Sequence, residues 1–356
     1  MLVDKSKFLS GQTDLQDSRL SEFVKKENYE KYKEKIQRYL NNFRIRTIEP
    51  IKKWREEQIA NVKSENAFYP FSGPDFLNIY SLYPEAKRYV MVGLETSGFI
   101  PNFEKISDQE LTHGLGDMQN ALESISRRNF FVTKSMRKNV NKSRIKGTIP
   151  IFLTYLGFLD LTPISIRHIK INQSGQIEAL KDEASSMTAS AKGFNGVEIQ
   201  FIEKDKPLIV ENIKSIYYFS ADISNLGFRK NPGIMKFLNE IGTVAVSFKA
   251  ASYLPHGDRF STLRNYVHKN AEVIVMDDTG PKINSFNSEW DIQVFGTYNG
   301  PISDFSEKYQ KPLAKLFKDQ KPKKIDFRFG YGKTSQQFII KLSKKFNHLE
   351  QIESRQ

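Results

Sequence analysis

The chain contains no cysteine. Disulfides, thiolate metal sites and a cysteine nucleophile are therefore excluded. It also lacks any apolar run of the length a membrane-crossing helix needs. Its first residues, MLVDKSKFLSGQTDLQ, have no apolar stretch of the kind a signal peptide carries. Glycine is absent from the places where nucleotide chemistry would need it. No G-x-G-x-x-G turn and no Walker lysine motif occurs, and Gly330-Tyr331-Gly332-Lys333-Thr334 ends in G-K-T without the upstream glycine. No G-x-S-x-G elbow is present, which removes the usual α/β-hydrolase arrangement. Motifs for sequence-specific nucleic-acid recognition are missing as well. No cofactor is identified by these patterns, and no repeat of fixed period appears.

The apolar fraction of the 356 residues is modest at 39%, but 27 Phe and 15 Tyr compensate, because each aromatic ring buries a large area. The net charge is +13, which favours acidic partners such as an acidic polymer or glycan. Much of the lysine is spread along the chain, the pattern of a solvated surface. The exception lies between Arg127 and Lys146, with eight basic residues and no acidic one. There Arg127, Arg128, Lys134, Arg137 and Lys138 form a candidate anion-binding face.

Three regions are expected: an N-terminal helical segment over 1–65, a main α/β domain over 66–346 and a frayed tail over 347–356. Residues 1–17 read as loose. Residues 18–59 read as helical, with Phe23, Ile36, Tyr39, Leu40 and Phe43 on one face and a break at Thr47–Pro50. The turn Tyr69-Pro70-Phe71-Ser72-Gly73-Pro74-Asp75 is stiffened by two prolines and anchored by aromatics. It either positions Ser72 and Asp75 for function or makes Asp75 the cap of a helix over 77–82. Residues 87–94 read as a strand buried on both faces, ending at Glu95. Helices are expected over 107–125, 130–141 and 149–159, and strands over 165–172 and 197–203. Residues 290–298 and 325–329 read as strands, and 305–317 and 337–345 as helices. Gly330 and Gly332 bracket Tyr331 at a strand-to-helix turn.

The stretch 216–280 organises the rest. Apolar runs at 216–220, 244–248 and 273–276 alternate with helix-like segments, a βαβαβ pattern whose strands run parallel. The fold class is therefore α/β: a mixed sheet with a parallel core, flanked by helices, plus the N-terminal helical segment. Parallel strands place their C-terminal ends on one edge, where open α/β sheets bind ligands. Asp222, Ser252, Tyr253, His256, Asp277 and Asp278 all follow such ends. Side chains alternate along a strand, so one of Asp277 and Asp278 faces a pocket and the other caps the next turn. If both approached one site, repulsion would raise one pKa and create an acid/base pair. The candidate catalytic set is Asp222, His256, Asp277, Asp278, Ser72 and Asp75, with His256 as base, a carboxylate as orienter and a serine as nucleophile. His256-Gly257-Asp258 could also open a hard-metal site. The lone Asp278-Thr279-Gly280 would need a second copy facing it to act as an aspartic protease does.

Tyr69-Pro70-Phe71-Ser72-Gly73-Pro74-Asp75-Phe76 and Tyr89-Val90-Met91-Val92-Gly93-Leu94-Glu95 resemble segments of a widespread, uncharacterised family of bacterial exported proteins. Tyr217-Tyr218-Phe219-Ser220, Lys249–Leu254, Asp277-Asp278-Thr279-Gly280 and Phe295–Ile302 are similar to that family too. The resemblance runs from about Phe68 to Lys345. It implies a periplasmic or surface address and no established activity, with the cytoplasm as the alternative address. Two function classes follow. The favoured one is a non-catalytic envelope protein that binds an acidic or glycan partner. The alternative is a hydrolase-like enzyme using carboxylates and His256 at the strand ends.

Overall fold

The computed structural model describes residues 2–128, 145–180, 194–332 and 336–345. Four helices come first: α1 (Leu2–Leu9), α2 (Ser18–Phe23), α3 (Glu27–Phe43) and α4 (Glu49–Gln58). The opening residues are not loose. Phe8 and Leu9 are fully buried, and Asp4 accepts from the backbone N–H groups of Gln16 and Asp17. Nor does the chain break at Thr47–Pro50. A π-helical turn over Arg44–Ile48 leads directly into α4, with Pro50 in the first turn, where its missing N–H costs nothing.

The main run follows as β1 (Asn66–Tyr69), α5 (Phe76–Leu82), β2 (Arg88–Gly93), α6 (Asp108–Arg128), α7 (Ile149–Phe158), β3 (Leu161–Ile171), β4 (Ile177–Ala179), β5 (Phe194–Glu203) and β6 (Lys214–Ser220). Then come α8 (Asn225–Lys230), α9 (Gly233–Glu240), β7 (Val244–Phe248), α10 (Ser261–Asn270), β8 (Ala271–Met276), β9 (Trp290–Gly296), α11 (Lys311–Gln320) and β10 (Phe338–Lys344). The expected helix over 130–141, the tail and most of 181–196 lie outside the described residues.

All ten strands form one mixed sheet in the order β4-β3-β5-β6-β2-β1-β7-β8-β10-β9. β6, β2, β1, β7 and β8 are mutually parallel, and the remaining pairs are antiparallel. Counted in chain order, the parallel strands run 3-2-1-4-5, the doubly wound order. The three strands of the 216–280 stretch are parallel as expected but not contiguous. β2 and β1 separate β6 from β7. The sequence reading passes over β1, whose four residues look like part of the aromatic turn.

Further expectations are overturned. Residues 337–345 form a strand rather than a helix, inserted antiparallel between β8 and β9. Residues 325–329 are irregular although Phe327 and Phe329 are buried, so Gly330–Gly332 is no strand-to-helix turn. The helix expected over 305–317 is split into a 3-10 stretch over Ser303–Lys308 and α11.

Side chains alternate between two apolar layers. Tyr69, Tyr89, Met91, Ala245 and Val275 point to the layer made with α1–α7. Phe68, Val90, Val92, Val246 and Ile274 point to the layer made with α8–α11. Right-handed crossovers explain this split. From β1 the chain moves to β2 through α5 on one face, and from β7 it moves to β8 through α10 on the other. The change of direction falls between β1 and β7, and the loops leaving those two strands meet there.

Candidate functional site

The loop after β1 and the loop after β7 are both bent into the left-handed region. Phe71 (φ 61°), Ala250 (φ 52°), Ser252 (φ 50°) and Tyr253 (φ 55°) are non-glycine residues held there. Such conformations cost about 1–3 kcal/mol each and persist only where surroundings enforce them. Here the surroundings are an ion pair and a carboxylate network.

Lys249 Nζ lies 2.6 Å from Asp75 Oδ2, with both side chains buried. Asp75 also accepts from the Tyr69 hydroxyl at 3.0 Å and from Asn78 Nδ2 at 2.6 Å. Asp75 occupies the N-cap position of α5 but makes no capping bond to the helix backbone. Its carboxylate is turned to Lys249 instead, which ties the two loops together. Burial pulls the Lys249 ammonium below its ordinary range, against the attraction of Asp75 and Asp277.

Asp277, the residue after β8, is fully buried and is a hub of donors. Its Oδ2 accepts from Ala250 N (2.9 Å) and Tyr331 N (3.3 Å), and its Oδ1 from Thr279 N (3.0 Å) and from the Thr279 hydroxyl. Thr279 Oγ1 accepts in turn from Ala251 N at 2.8 Å. The carboxylate therefore caps its own turn and pins the β7 loop to the segment around Tyr331. Gly330 is required there: a Cβ would stand 1.7 Å from Asp277 Oδ2, and its φ is +64°. Burial raises the pKa of Asp277 in spite of these donors.

Asp278 points the other way. Tyr253 donates its hydroxyl to Asp278 Oδ2 at 2.7 Å. Burial first, and then the neighbouring Asp277 charge, push the Asp278 carboxyl up to about 7. His256 Nε2 lies 3.2 Å from the Asp278 carbonyl oxygen and donates to it in the neutral tautomer. Burial and the Lys282 charge hold this imidazole down at about 4. Asp277 thus caps its own turn, while Asp278 is turned to Tyr253 rather than to an open pocket.

The six proposed catalytic residues do not meet in one pocket. Ser72 is buried, and its hydroxyl donates to the Gly73 and Val92 carbonyls. Asp75 is committed to Lys249. Asp222 follows β6, three strand spacings or roughly 14 Å from β7, and accepts from Ser224 N at 2.9 Å, an Asx turn before α8. Asp277 and Asp278 are buried, and only His256 of the six borders the cleft described next. Arg127 and Arg128 fall at the end of α6, where only the backbone is described, and Lys134, Arg137 and Lys138 lie outside the described residues. Among the described residues no cluster of three or more His, Asp or Glu could hold a metal, so His256 and Asp258 gain no further ligands.

The cleft itself, of ≈ 670 Å³, opens at the C-terminal ends of β7 and β8. Tyr253, His256, Phe260 and Tyr309 line it together with Arg259, Lys282, Lys308 and Lys311. Among the described residues Glu307 is its one carboxylate, and it pairs with Lys308 at 3.5 Å. Arg259, Lys282 and Lys311 have no ion-pair partner among the described residues. The N-terminus of α11 also faces this space. Its N-cap residue Gln310 makes no capping bond, because its side chain accepts from Ile283 N and donates to the Asp278 carbonyl. Unsatisfied N–H groups at a helix start add partial positive charge.

Comparison with family models, with curated proteins and with solved structures finds no match. The resemblance to exported bacterial proteins therefore rests on the segments quoted for it. Sequence reasoning missed Lys249, Tyr331 and the four cleft cations. Lys249 carried a signal in its position directly after the largely apolar strand β7. The cations come from three separate loops, each contributing one or two charges, so no local run marks them.

Proposed function

We propose that the protein binds an anionic partner, without covalent chemistry, in the cleft at the C-terminal ends of β7 and β8. The observation that carries this reading is the charge of the lining: Arg259, Lys282, Lys308 and Lys311 against Glu307 alone. Cations gathered in a concave, low-dielectric surface concentrate anions. The left-handed loop residues and the Asp277 hub hold the cleft wall rigid, which lowers the ordering cost of binding. The excess of positive charge over the whole chain acts in the same direction at longer range.

The test is equilibrium binding of inorganic tripolyphosphate and of an acidic polysaccharide at low and high salt. Binding should weaken as salt rises, and Lys282→Glu with Lys311→Glu should remove most of it. Affinity that ignores both salt and charge reversal would sink the proposal. A periplasmic or surface address, implied by the resemblance alone, is proposed with it. Cell fractionation that finds the protein wholly in the cytosol would overturn that part.

A further inference from the structure

We infer that the anion this cleft takes is a nucleotide, its phosphates held by Arg259, Lys282, Lys308 and Lys311 and its base stacked on Tyr309. The inference rests on the anion-binding reading and narrows it. Tyr309 borders the cleft and is 50% exposed, although it is a large aromatic residue. Its ring lies nearly parallel to that of Tyr298, at 6.5 Å between centroids and 6° between planes. Tyr298 is itself buried and packed against Phe317 and Phe338. Tyr309 is thus a half-exposed ring at the cleft, held beside the core by an offset, near-parallel contact with Tyr298. Such a ring is what an unpaired base recognises, whatever its sequence.

The polar lining points the same way. A glycan site needs carboxylates and amides to read ring hydroxyls. In this cleft Gln310 is committed to Ile283 and Asp278, and Glu307 is paired with Lys308. Among the described residues Asn284 is the one side-chain amide left beside three unpaired cations, Arg259, Lys282 and Lys311, a balance that suits phosphates rather than sugar hydroxyls. The volume is that of a small-molecule site. Phosphate binding here would use side chains and the start of α11, which is why no glycine-rich turn announces it in the sequence.

The experiment compares ATP, inorganic tripolyphosphate and oligogalacturonate in magnesium-free, low-salt buffer, using the full chain, Tyr309→Ala and Tyr309→Phe. ATP should bind at least about tenfold more tightly than tripolyphosphate, the gain expected of one stacked base. Tyr309→Ala should bring ATP down to the level of tripolyphosphate and leave tripolyphosphate itself unchanged. Tyr309→Phe, which keeps the ring, should keep the preference. Equal affinity for ATP and tripolyphosphate, or an unaltered preference in Tyr309→Ala, overturns the nucleotide inference and leaves the anion site standing. Tighter binding of oligogalacturonate overturns it in favour of an acidic glycan. If no anion binds, the cleft reading falls and the inference with it.

Discussion

Lys249 and Asp75 form a buried ion pair, 2.6 Å apart and 1% and 2% exposed, between the loops that leave β1 and β7. It sits where the chain changes its direction of travel across the sheet. Neither charge can reach water if the other is removed.

Lys249→Met and Asp75→Asn should therefore each destabilise the protein by about 3–5 kcal/mol, the cost of breaking a buried ion pair by removing one partner. The double variant Lys249→Met/Asp75→Asn should lose clearly less than the sum of the two. Urea unfolding of the three proteins measures this. Single variants that cost under about 1 kcal/mol, on that same scale, would contradict the role given to the pair.

The raised carboxyl of Asp278 makes stability depend on pH. The folded state keeps its proton up to about 7, whereas the unfolded chain loses it near 3.8. In that window the folded state binds more protons, so this residue's contribution to stability falls as pH rises from about 4 to 7. Asp278→Asn keeps an acceptor for Tyr253 and removes the charge. It should gain on the order of 1–3 kcal/mol at pH 8 and little at pH 4. A gain of equal size at both pH values would exclude this cause.

His256 has the opposite sign. Its imidazole is held at about 4, below its ordinary 6.5. The folded state favours the neutral ring, so its contribution is complete above 6.5 and is lost as pH falls toward 4. His256→Gln, which can still donate to the Asp278 carbonyl, should flatten the acid side of the profile. An unchanged acid limb in thermal melts would show that the ring is not held neutral by the fold.

Gly330→Ala should cost about 2–4 kcal/mol, because the new Cβ meets Asp277 as well as an unfavourable φ. Gly242→Ala is the control. Its φ is +76°, yet nothing lies within 4 Å of the added carbon, so only the backbone cost of about 1–2 kcal/mol applies. Equal losses in chemical denaturation would deny Asp277 its place as hub.

Much of the sheet was legible because burial on two faces or on one leaves different periods. The runs at β2, β6, β7 and β8 are mostly apolar, and β3 and β5 alternate. What failed did so for physical reasons. β1 is four residues long and merges with its aromatic turn, so it has no period to read. In β10 the apolar residues Phe338, Ile339, Ile340 and Leu342 match a helix stripe as well as a strand buried on both faces, and only the gap between β8 and β9 decides. Phe327 and Phe329 alternate like a strand but anchor an irregular segment. A cap role for one of the two aspartates after β8 was legible in strand alternation; a shared rim was not, because Asp222 lies three strands from β7 and neither Asp277 nor Asp278 borders the cleft. The cleft was not, since Arg259, Lys282, Lys308 and Lys311 become neighbours only through the fold.

The placement of β10 also bears on how the molecule is made. β9 leaves the ribosome well before the strand that joins it to the rest of the sheet, and β8 waits with one edge uncovered for the same partner. Until β10 arrives, the edges of β8 and β9 that it will fill keep their backbone N–H and C=O groups unpaired, a template for pairing with other chains. Newly made protein should therefore depend on chaperones most during the synthesis of residues 296–344, and a stall there should yield aggregates rather than a shortened but folded domain.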